Sequence, residues 1–259
     1  MIPKIIHYVW LGGKKLTPSA KKCIASWKKY MPDYEIKCWD ENSFNINLVN
    51  WTKEAVAEKK WSLASDYIRH YVLYKWGGVY MDTDVEIYKP LDEFLKYDFF
   101  TSVEFHPSLY DQYGKNQIDK NGNKLPQYDS VAGLGLLAAV IGASKGNEFI
   151  KECLDFFGNR HFINDDGTLF QNLINPAIMA NILEKYGFKF FNKEQSLNEN
   201  IKVFNASVFA GNIATKTKDS YAMHWCDSSW RDNLSTKEKV IRFLKTRFPE
   251  IYKKILFRK

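Results

Sequence analysis

Two carboxylates separated by one residue, Asp82 and Asp84, are the side chains best placed to hold a divalent metal. They follow the short apolar run Val79–Met81, which is typical of a buried strand, so both lie at a strand's end. Hard cations such as Mg²⁺ and Mn²⁺ prefer carboxylate oxygens and keep positions open for phosphate. A diphosphate leaving group is the natural partner of such a site. Alone, an Asp-x-Asp pair is a weak signal, because it occurs by chance in many proteins.

A second pair of charges, Asp66 and Arg69, lies three residues apart on the helix predicted from about Thr52 to Trp76. The second half of this helix is apolar almost all round, which indicates burial. Buried charges have to be paired or bound to something. Two interpretations stay open here: an internal ion pair that orients the helix, or a pair that meets a polar ligand at the helix's inner face.

Predicted strands and helices alternate in the segment that precedes Asp82 and Asp84. The sequence predicts a strand over Lys4–Leu11 that ends at Gly12 and Gly13, a helix from Thr17 to Tyr30 and a strand over Tyr34–Trp39. Strand, helix and strand in this order are typical of a mononucleotide-binding half. The fold class predicted is α/β.

The rest of the chain continues with short strands and helices. His106–Asp129 is polar and rich in Asn, Gly and Lys, which favours an exposed excursion with a turn at Asn121-Gly122. The other predicted elements are strands at Val85–Tyr88, Asp98–Val103, Val131–Ala143 and within Ile201–Phe209, and helices at Asn147–Phe157 and Asn175–Tyr186.

The formal net charge of +7 belongs to one segment. Ser235–Lys259 contains nine Lys and Arg against two Glu, so the remainder is neutral and a general nucleic-acid surface is excluded. We expect one domain over residues 1–234 and a basic amphipathic helical tail over residues 235–259. The tail is either an ordinary docking helix or a segment that adheres to an anionic membrane surface.

The four cysteines lie far apart and show no Cys-x-x-Cys spacing, so they predict neither a disulfide framework nor a zinc site. The first eleven residues lack the basic head and apolar core of a signal peptide, and no 18-residue apolar run exists. We expect a cytoplasmic protein, or one held peripherally at the inner face of a membrane.

Four segments together resemble glycosyltransferase family 32. They are the opening Ile5–Gly13, the run Ser65–Arg69, the block Tyr74-x-Trp-Gly-Gly-Val-Tyr-Met-Asp-Thr-Asp84, and His224-x4-Ser229-Trp230. That family includes yeast Golgi mannosyltransferases and bacterial capsule and lipopolysaccharide sugar transferases, and it is related to the glucosyltransferase domain of clostridial toxins. The segments occur in the family's order from about Met1 to Trp230, whereas His106–Gly211 matches only loosely.

The resemblance implies a GT-A fold with a Rossmann-like mixed sheet, a UDP- or GDP-sugar donor, a bound Mn²⁺ or Mg²⁺ and retention of anomeric configuration. By position, Val9 and Trp10 would hold the nucleotide base. Asp66, next to Ser65, would bind ribose or sugar hydroxyls, and Arg69 would contact sugar or phosphate. Asp82 would bind ribose and metal-bound water, Asp84 would coordinate the metal, and His224 resembles the third metal ligand. Ser228 and Trp230 resemble the loop that closes over the diphosphate.

The sequence therefore predicts a retaining, metal-dependent transferase. It would move a hexose or N-acetylhexosamine to a glycan or lipid-linked acceptor in surface polysaccharide synthesis. One alternative is an inert carbohydrate-binding or scaffolding relative at the membrane. A metal-dependent phosphatase of the haloacid dehalogenase type is a further alternative, but Asp82 lies well inside the chain and Glu86 stands where that motif usually has Thr or Val.

Overall fold

The computed structural model describes residues 1–227 and Tyr252. Residues 1–227 form the strands β1 (Ile5–Val9), β2 (Glu35–Trp39), β3 (Gly78–Met81), β4 (Val85–Ile87), β5 (Phe99–Phe105), β6 (Leu134–Leu136), β7 (Val140–Ala143), β8 (Gln195–Leu197), β9 (Ile201–Phe204) and β10 (Ala222–His224). The α-helices in the same range are α1 (Pro18–Tyr30), α2 (Asn50–Ala57), α3 (Trp61–Trp76), α4 (Pro107–Gln112), α5 (Glu148–Gly158) and α6 (Asn175–Leu183).

Eight strands form one mixed sheet. Its order is β2-β1-β3-β7-β5-β9-β8, with β6 paired to β5. β1 runs parallel to β2 and β3, β7 lies antiparallel between β3 and β5, and β9 runs parallel to β5. The strands β1, β2, β3, β5 and β9 therefore all run in one direction, and their carboxyl ends share one edge of the sheet. Ligand sites of α/β sheets lie at that edge.

Alternate residues of the central strands pack on opposite faces of the sheet. Val79 and Phe100 join the core under α1, which also contains Trp27, whereas Tyr80 and Phe99 join the core beneath α5 and α6. A third apolar cluster packs α2, α3 and α5 together. The predicted α/β class, with a mixed Rossmann-like sheet between helices, is confirmed.

The turn from α3 into β3 depends on Gly77 and Gly78. Their φ angles are +67° and +113°, and an added Cβ would lie 2.7 Å from the amide nitrogen of Lys145 and 2.6 Å from the carbonyl of Ile5, respectively. Only glycine adopts these angles at such close approach without strain. This turn ends α3 and brings β3 against β1.

The prediction of one long helix over Thr52–Trp76 is wrong, because two helices, α2 and α3, occupy this segment. α2 ends at Ala57, Lys59 takes a left-handed conformation with φ of +55°, and the amide of Lys60 returns to the carbonyl of Ala55 at 2.8 Å. No Gly or Pro marks this break in the sequence. The break gives the second helix its own N-terminus at Trp61, which faces the site described below.

The single strand predicted over Val131–Ala143 is also divided. β6 pairs with β5 and β7 pairs with β3, and residues 137–139 cross between them. The hydroxyl of Thr101 lies 2.8 Å from the carbonyl oxygens of both Leu137 and Val140, and its single proton, shared between them, stabilises the crossing. The predicted excursion after β5 contains α4 and a turn at Asn121-Gly122, where the Asp119 carboxylate accepts the amides of Asn121 and Asn123.

Most of the predicted tail lies outside the described residues. Tyr252 is half-buried in a helix and packs against a cluster that includes Cys23, Met223 and Trp225. Within the described residues, no helix is both long enough and apolar enough to cross a membrane.

Candidate active site

A cleft of about 270 Å³ opens at the carboxyl ends of β1 and β3. One wall is the loop after β1 and the other is the first turns of α3, while the short sheet of β4 and β10 closes one end. The side chains lining it are Val9, Trp10, Leu11, Lys14, Trp61, Ser62, Ser65, Arg69, Tyr80, Asp82, Thr83, Asp84, His224 and Cys226. Residues from the four segments that the sequence singled out therefore meet in one place.

Three of these side chains could hold a metal ion. One ligand atom each from Asp82, Asp84 and His224 lies within 4.8 Å of the other two. The antiparallel pairing of β10 with β4 sets His224 opposite Val85, next in sequence to Asp84. His224 Nε2 is 3.3 Å from Asp84 Oδ1 and 4.0 Å from Asp82 Oδ2.

Within the triad, Asp84 and His224 form an ion pair before a metal binds. Burial alone would raise the pKa of Asp84, but the adjacent His224 and hydrogen bonds from it and from the Asp227 amide lower that pKa to about 2. Burial disfavours the charged imidazole of His224, yet neighbouring Cys226 and Asp84 raise its pKa well above the ordinary value. Because coordination needs a neutral imidazole, binding of a metal at this site would release a proton.

The donor set fits a divalent cation. Two carboxylates and one imidazole suit Mg²⁺ or Mn²⁺ and leave positions for phosphate oxygens and water. Asp84 is the more firmly held carboxylate, since its Oδ2 accepts the amide of Asp227 at 2.7 Å and its side chain is 14% exposed. Asp82 is 27% exposed and accepts a 2.8 Å hydrogen bond from the Tyr80 hydroxyl.

Arg69 links the helix to the acidic pair. Its guanidinium lies 3.0 Å from Asp66 Oδ1 and 3.5 Å from Asp82 Oδ1 and packs over the ring of Tyr80. Nη1 also donates to the carbonyl of Ala138 at 2.7 Å. Both interpretations of the Asp66 and Arg69 pair therefore hold. Arg69 forms an internal ion pair with Asp66, and it also lines the cleft, where a ligand could meet it.

Asp66 lies behind Arg69 and is held from the other side by α6. The amide of Asn175 donates to Asp66 Oδ1 at 3.1 Å, and Asn175 Oδ1 lies 3.1 Å from His70 Nε2. Burial raises the pKa of Asp66 to about 6, against the opposing effect of Arg69, and burial lowers the pKa of His70 to about 3. His70 is therefore neutral near pH 7 and donates through Nε2 to Asn175.

The far end of the cleft is aromatic. The indole of Trp10 donates to the carbonyl of Lys14 at 2.6 Å, which ties the ring to its own loop. The backbone amide of Gly12 donates a hydrogen bond to Glu41 Oε1 at 2.5 Å. A Cβ added at Gly12 would lie 3.1 Å from the ring of Trp61, so the loop packs closely against that ring. The cleft thus combines a cation site at one end with two tryptophans at the other, which suits a flat base joined to phosphates.

Most sequence-predicted residues line the cleft: Val9, Trp10, Ser65, Arg69, Asp82, Asp84 and His224. Asp66 stands one layer behind, and Ser228 and Trp230 lie outside the described residues. The sequence argument missed the lining residues Leu11, Lys14, Trp61, Ser62, Tyr80, Thr83 and Cys226. Strand alternation from Asp82 points to Tyr80, and helical spacing from Ser65 points to Trp61 and Ser62; Lys14 carries no such signal.

Comparison with known proteins agrees with this geometry. Residues 17–101 match the family model described as a glycosyltransferase sugar-binding region containing a DXD motif. Over 103 residues the chain is 32% identical to inositol phosphoceramide mannosyltransferase 3 of Schizosaccharomyces pombe. The matched region covers 37% of this chain and only 28% of that protein. Over 191 residues it is 24% identical to an uncharacterized glycosyltransferase of Acanthamoeba polyphaga mimivirus, covering 70% of this chain and 76% of that one.

Among solved structures, the chain is similar to the PaToxG glycosyltransferase, with a TM-score of 0.48 and 19% identity over 71% of this chain and 69% of the other. The matched family segment contains α1, α3, β3 and the acidic pair, so it covers one wall of the cleft and two of the three residues of the cation site. The match over residues 17–101 therefore places the DXD motif of that family model on Asp82 and Asp84, and this chain spans only about a quarter of the length of the mannosyltransferase that it resembles.

Proposed function

We propose that this chain is a metal-dependent glycosyltransferase that takes a sugar from a UDP- or GDP-sugar and transfers it with retention of anomeric configuration. The observation that carries the proposal is the convergence of Asp82, Asp84 and His224 within 4.8 Å, in a cleft that also contains Arg69 and Trp10. A nucleotide-sugar has three parts, a base, a diphosphate and a sugar. The lining of the cleft includes two tryptophans, a candidate cation site and the buried polar side chains Ser65 and Arg69.

Asp82, Asp84 and His224 would hold Mn²⁺ or Mg²⁺, which supplies positive charge to the diphosphate as it leaves. Arg69 adds a second positive charge that is fixed in advance by Asp66, Ser65 and the Ala138 carbonyl. A cation that needs no rearrangement during the reaction stabilises developing charge most effectively. Ser65 and Asp66, on the same helix, are the proposed contacts for ribose or sugar hydroxyls, and Ser228 and Trp230 belong to the proposed closing loop.

The transferred group is proposed to be a hexose or N-acetylhexosamine, and the acceptor a glycan or lipid-linked glycan in surface polysaccharide synthesis. The name of the Schizosaccharomyces pombe relative, a mannosyltransferase of inositol phosphoceramide, supports a hexose donor and a lipid-linked acceptor. The basic segment 235–259 is proposed to hold the enzyme at the inner face of a membrane. Liposomes with and without anionic lipid test this, since a chain truncated after Asn233 should lose anion-dependent binding.

The decisive experiment measures release of nucleoside diphosphate from a panel of UDP- and GDP-sugars with Mn²⁺, with Mg²⁺ and with EDTA. We expect release from at least one donor, loss of release in EDTA, and a loss on the order of 100-fold or more in Asp84→Asn. Asp165→Asn is the matched control, because that exposed carboxylate lies outside the cleft.

Wild-type release by folded Asp84→Asn would refute the assignment of Asp84, and absence of metal-dependent release from every donor would refute the function. The anomeric configuration of the product, read by NMR, checks retention separately.

A further inference from the structure

A second groove, of about 550 Å³, lies at the same edge of the main sheet as the cleft. It opens where the parallel strands β5 and β9 end, and Phe105 from the end of β5 lines it. Because β1, β3, β5 and β9 run in one direction, both openings face the same side of the molecule. Only the antiparallel strand β7 separates the two pairs of strands.

One backbone segment, residues 210–215, contacts both places. The carbonyl of Ala210 accepts the amide of His224 at 2.9 Å, so the segment supports the cation site. The side chain of Asn212 donates to the Phe105 carbonyl at 2.7 Å, and Ala214 and Thr215 line the groove. Four Cα steps join Ala210 to Ala214, a distance of at most about 15 Å. A ligand of a few units could therefore extend from the groove toward the cleft.

The groove combines an apolar floor with amide and hydroxyl groups. Phe105, Pro107 and Ala214 provide the apolar surface. Asn192 Oδ1 accepts the amide of Ala206 at 2.8 Å, and Asn205 Oδ1 accepts the amide of Ser207 at 3.0 Å. Each carbonyl oxygen is thus used by the fold, while neither Nδ2 group has a hydrogen-bond partner within the described residues.

Two fixed amide donors beside an aromatic ring suit a saccharide. A sugar has an apolar C–H face that packs on an aromatic ring and hydroxyl groups that accept from amide N–H. Polar and apolar surface contribute about equally to this groove, and placed polar groups beside apolar surface orient a small ligand. Glu194 also lines the groove, and its Oε1 lies 2.5 Å from Lys202 Nζ. This ion pair neutralises the carboxylate, so the groove can take an uncharged ligand.

We propose that this groove is a saccharide-binding subsite for the acceptor, which holds sugar units beyond the one that receives the new residue. The acceptor role rests on the proposed transferase function. Saccharide binding itself does not, because it requires neither metal nor donor. Asn192 and Asn205 donate through Nδ2 to ring or hydroxyl oxygens, and Phe105 packs against a sugar face.

The test is NMR of ¹⁵N-labelled wild-type protein in EDTA, titrated with manno-, malto-, chito- and galacto-oligosaccharides from di- to tetrasaccharide. Asn192→Asp and Asn205→Asp keep the Oδ1 acceptor that the fold uses and remove the donor, and their missing signals assign the two side-chain amides. We expect at least one oligosaccharide to shift both amide pairs and each substitution to weaken its binding about three- to tenfold. Asn198→Asp adds the same charge on an exposed residue outside the groove and should bind normally.

Unshifted amides with every oligosaccharide would overturn the proposal, as would unchanged binding in both groove variants. Donor hydrolysis by the wild-type protein is measured in parallel. Hydrolysis with unshifted amides contradicts the groove alone, whereas shifted amides without hydrolysis leave a saccharide site and contradict the transferase function.

Discussion

Asp82 and Asp84 have the same side chain but are held in different ways. Asp84 accepts a hydrogen bond from the backbone amide of Asp227 and lies 3.3 Å from His224. Its position therefore follows from the pairing of β4 with β10. Asp82 depends on side chains, because Tyr80 donates to it and Arg69 lies 3.5 Å away. Orientation by a hydrogen-bonded neighbour affects how well a carboxylate binds metal.

Tyr80→Phe tests this difference. The substitution removes the hydrogen bond to Asp82 Oδ1 but keeps the ring under Arg69. A hydrogen bond to a charged group is worth about 1.5–3 kcal/mol, part of which the bound metal recovers. We expect the metal concentration for half-maximal donor hydrolysis to rise about three- to tenfold. Tyr88→Phe, which removes a phenol–Glu86 contact outside the cleft, is the control, and an unchanged midpoint in Tyr80→Phe would contradict the role of Tyr80.

Two buried histidines should make the protein sensitive to acid. Burial lowers the pKa of His7 to about 4 and that of His70 to about 3. The unfolded chain takes up these protons below about 6.5, whereas the folded protein does not. Stability is therefore full above pH 6.5 and is lost as the pH falls toward 4, by about 3 kcal/mol for His7 alone.

Thermal unfolding from pH 7.5 to 4.5 measures this effect. We expect Tm to fall with pH in the wild type and to fall less steeply in His7→Gln. Comparing the two removes the contribution of carboxylates common to both, including Asp66, whose raised pKa acts in the opposite direction. An identical dependence of Tm on pH in the two proteins would show that protonation of His7 does not contribute to the loss of stability in acid.

At the scale of single residues, the sequence predicted the groups whose chemistry is unusual for their position. A buried Arg69 and paired carboxylates after a strand are conspicuous by type. Lys14 and Cys226 were missed because a surface lysine and a lone cysteine have no distinguishing spacing. Asn175 was missed because its importance depends on a contact with Asp66, which lies 109 positions away in the chain.

Among the elements, the pairing of α3 with α6 carries a functional contact. Asn175, in the first turn of α6, lies between two buried groups of α3, Asp66 and His70. Its amide fixes the Asp66 oxygen that Arg69 also contacts at 3.0 Å. The position of Arg69 in the cleft therefore depends on how α6 packs against α3.

Asn175→Ala should lower turnover without touching the cation site. Removing the amide takes away the acceptor of His70 Nε2 and one of the donors to Asp66, which keeps Arg69; the unpaired buried imidazole costs about 1–3 kcal/mol of stability. We expect the kcat of donor hydrolysis to fall several-fold and the metal midpoint to stay at the wild-type value. Asn181→Ala, on the same helix, removes a bond to the Asp129 carbonyl and is the control. Equal kcat losses in both variants would indicate a general loss of stability rather than a specific role.

Element boundaries were the weaker part of the sequence prediction. The break between α2 and α3 uses a left-handed Lys59, a conformation that lysine adopts only when the surroundings enforce it. The division of β6 from β7 rests on Thr101, a residue of another strand. Local patterns contain neither cause, whereas the glycines that end α3 are visible in the sequence itself.

For the whole molecule, the direction of the strands decides where function lies. Five strands point their carboxyl ends at one edge, which gathers the cleft and the second groove on one side. The sequence predicted the α/β class from the alternation of elements. It could not predict the order β3-β7-β5, because that order depends on long-range pairing rather than on local pattern.

This arrangement predicts that metal and nucleotide stabilise the whole domain together. A ligand that binds only the folded state adds about 2.7 kcal/mol at 100 times its Kd. In a domain of this size that raises Tm by roughly 5–10 °C. We expect UDP or GDP with Mn²⁺ to produce such a rise and either component alone to produce much less, because the carboxylates of Asp82 and Asp84 repel the diphosphate unless a cation lies between them.

Thermal unfolding with each nucleotide, with and without EDTA, measures the coupling. Asp84→Asn should lose the joint shift, while Asp165→Asn should keep it. A full shift in EDTA would mean that Arg69 and the tryptophans bind the nucleotide without a cation. In that case the triad would have a role other than binding the diphosphate, since it is metal-linked binding that joins the two ends of the cleft into one donor site.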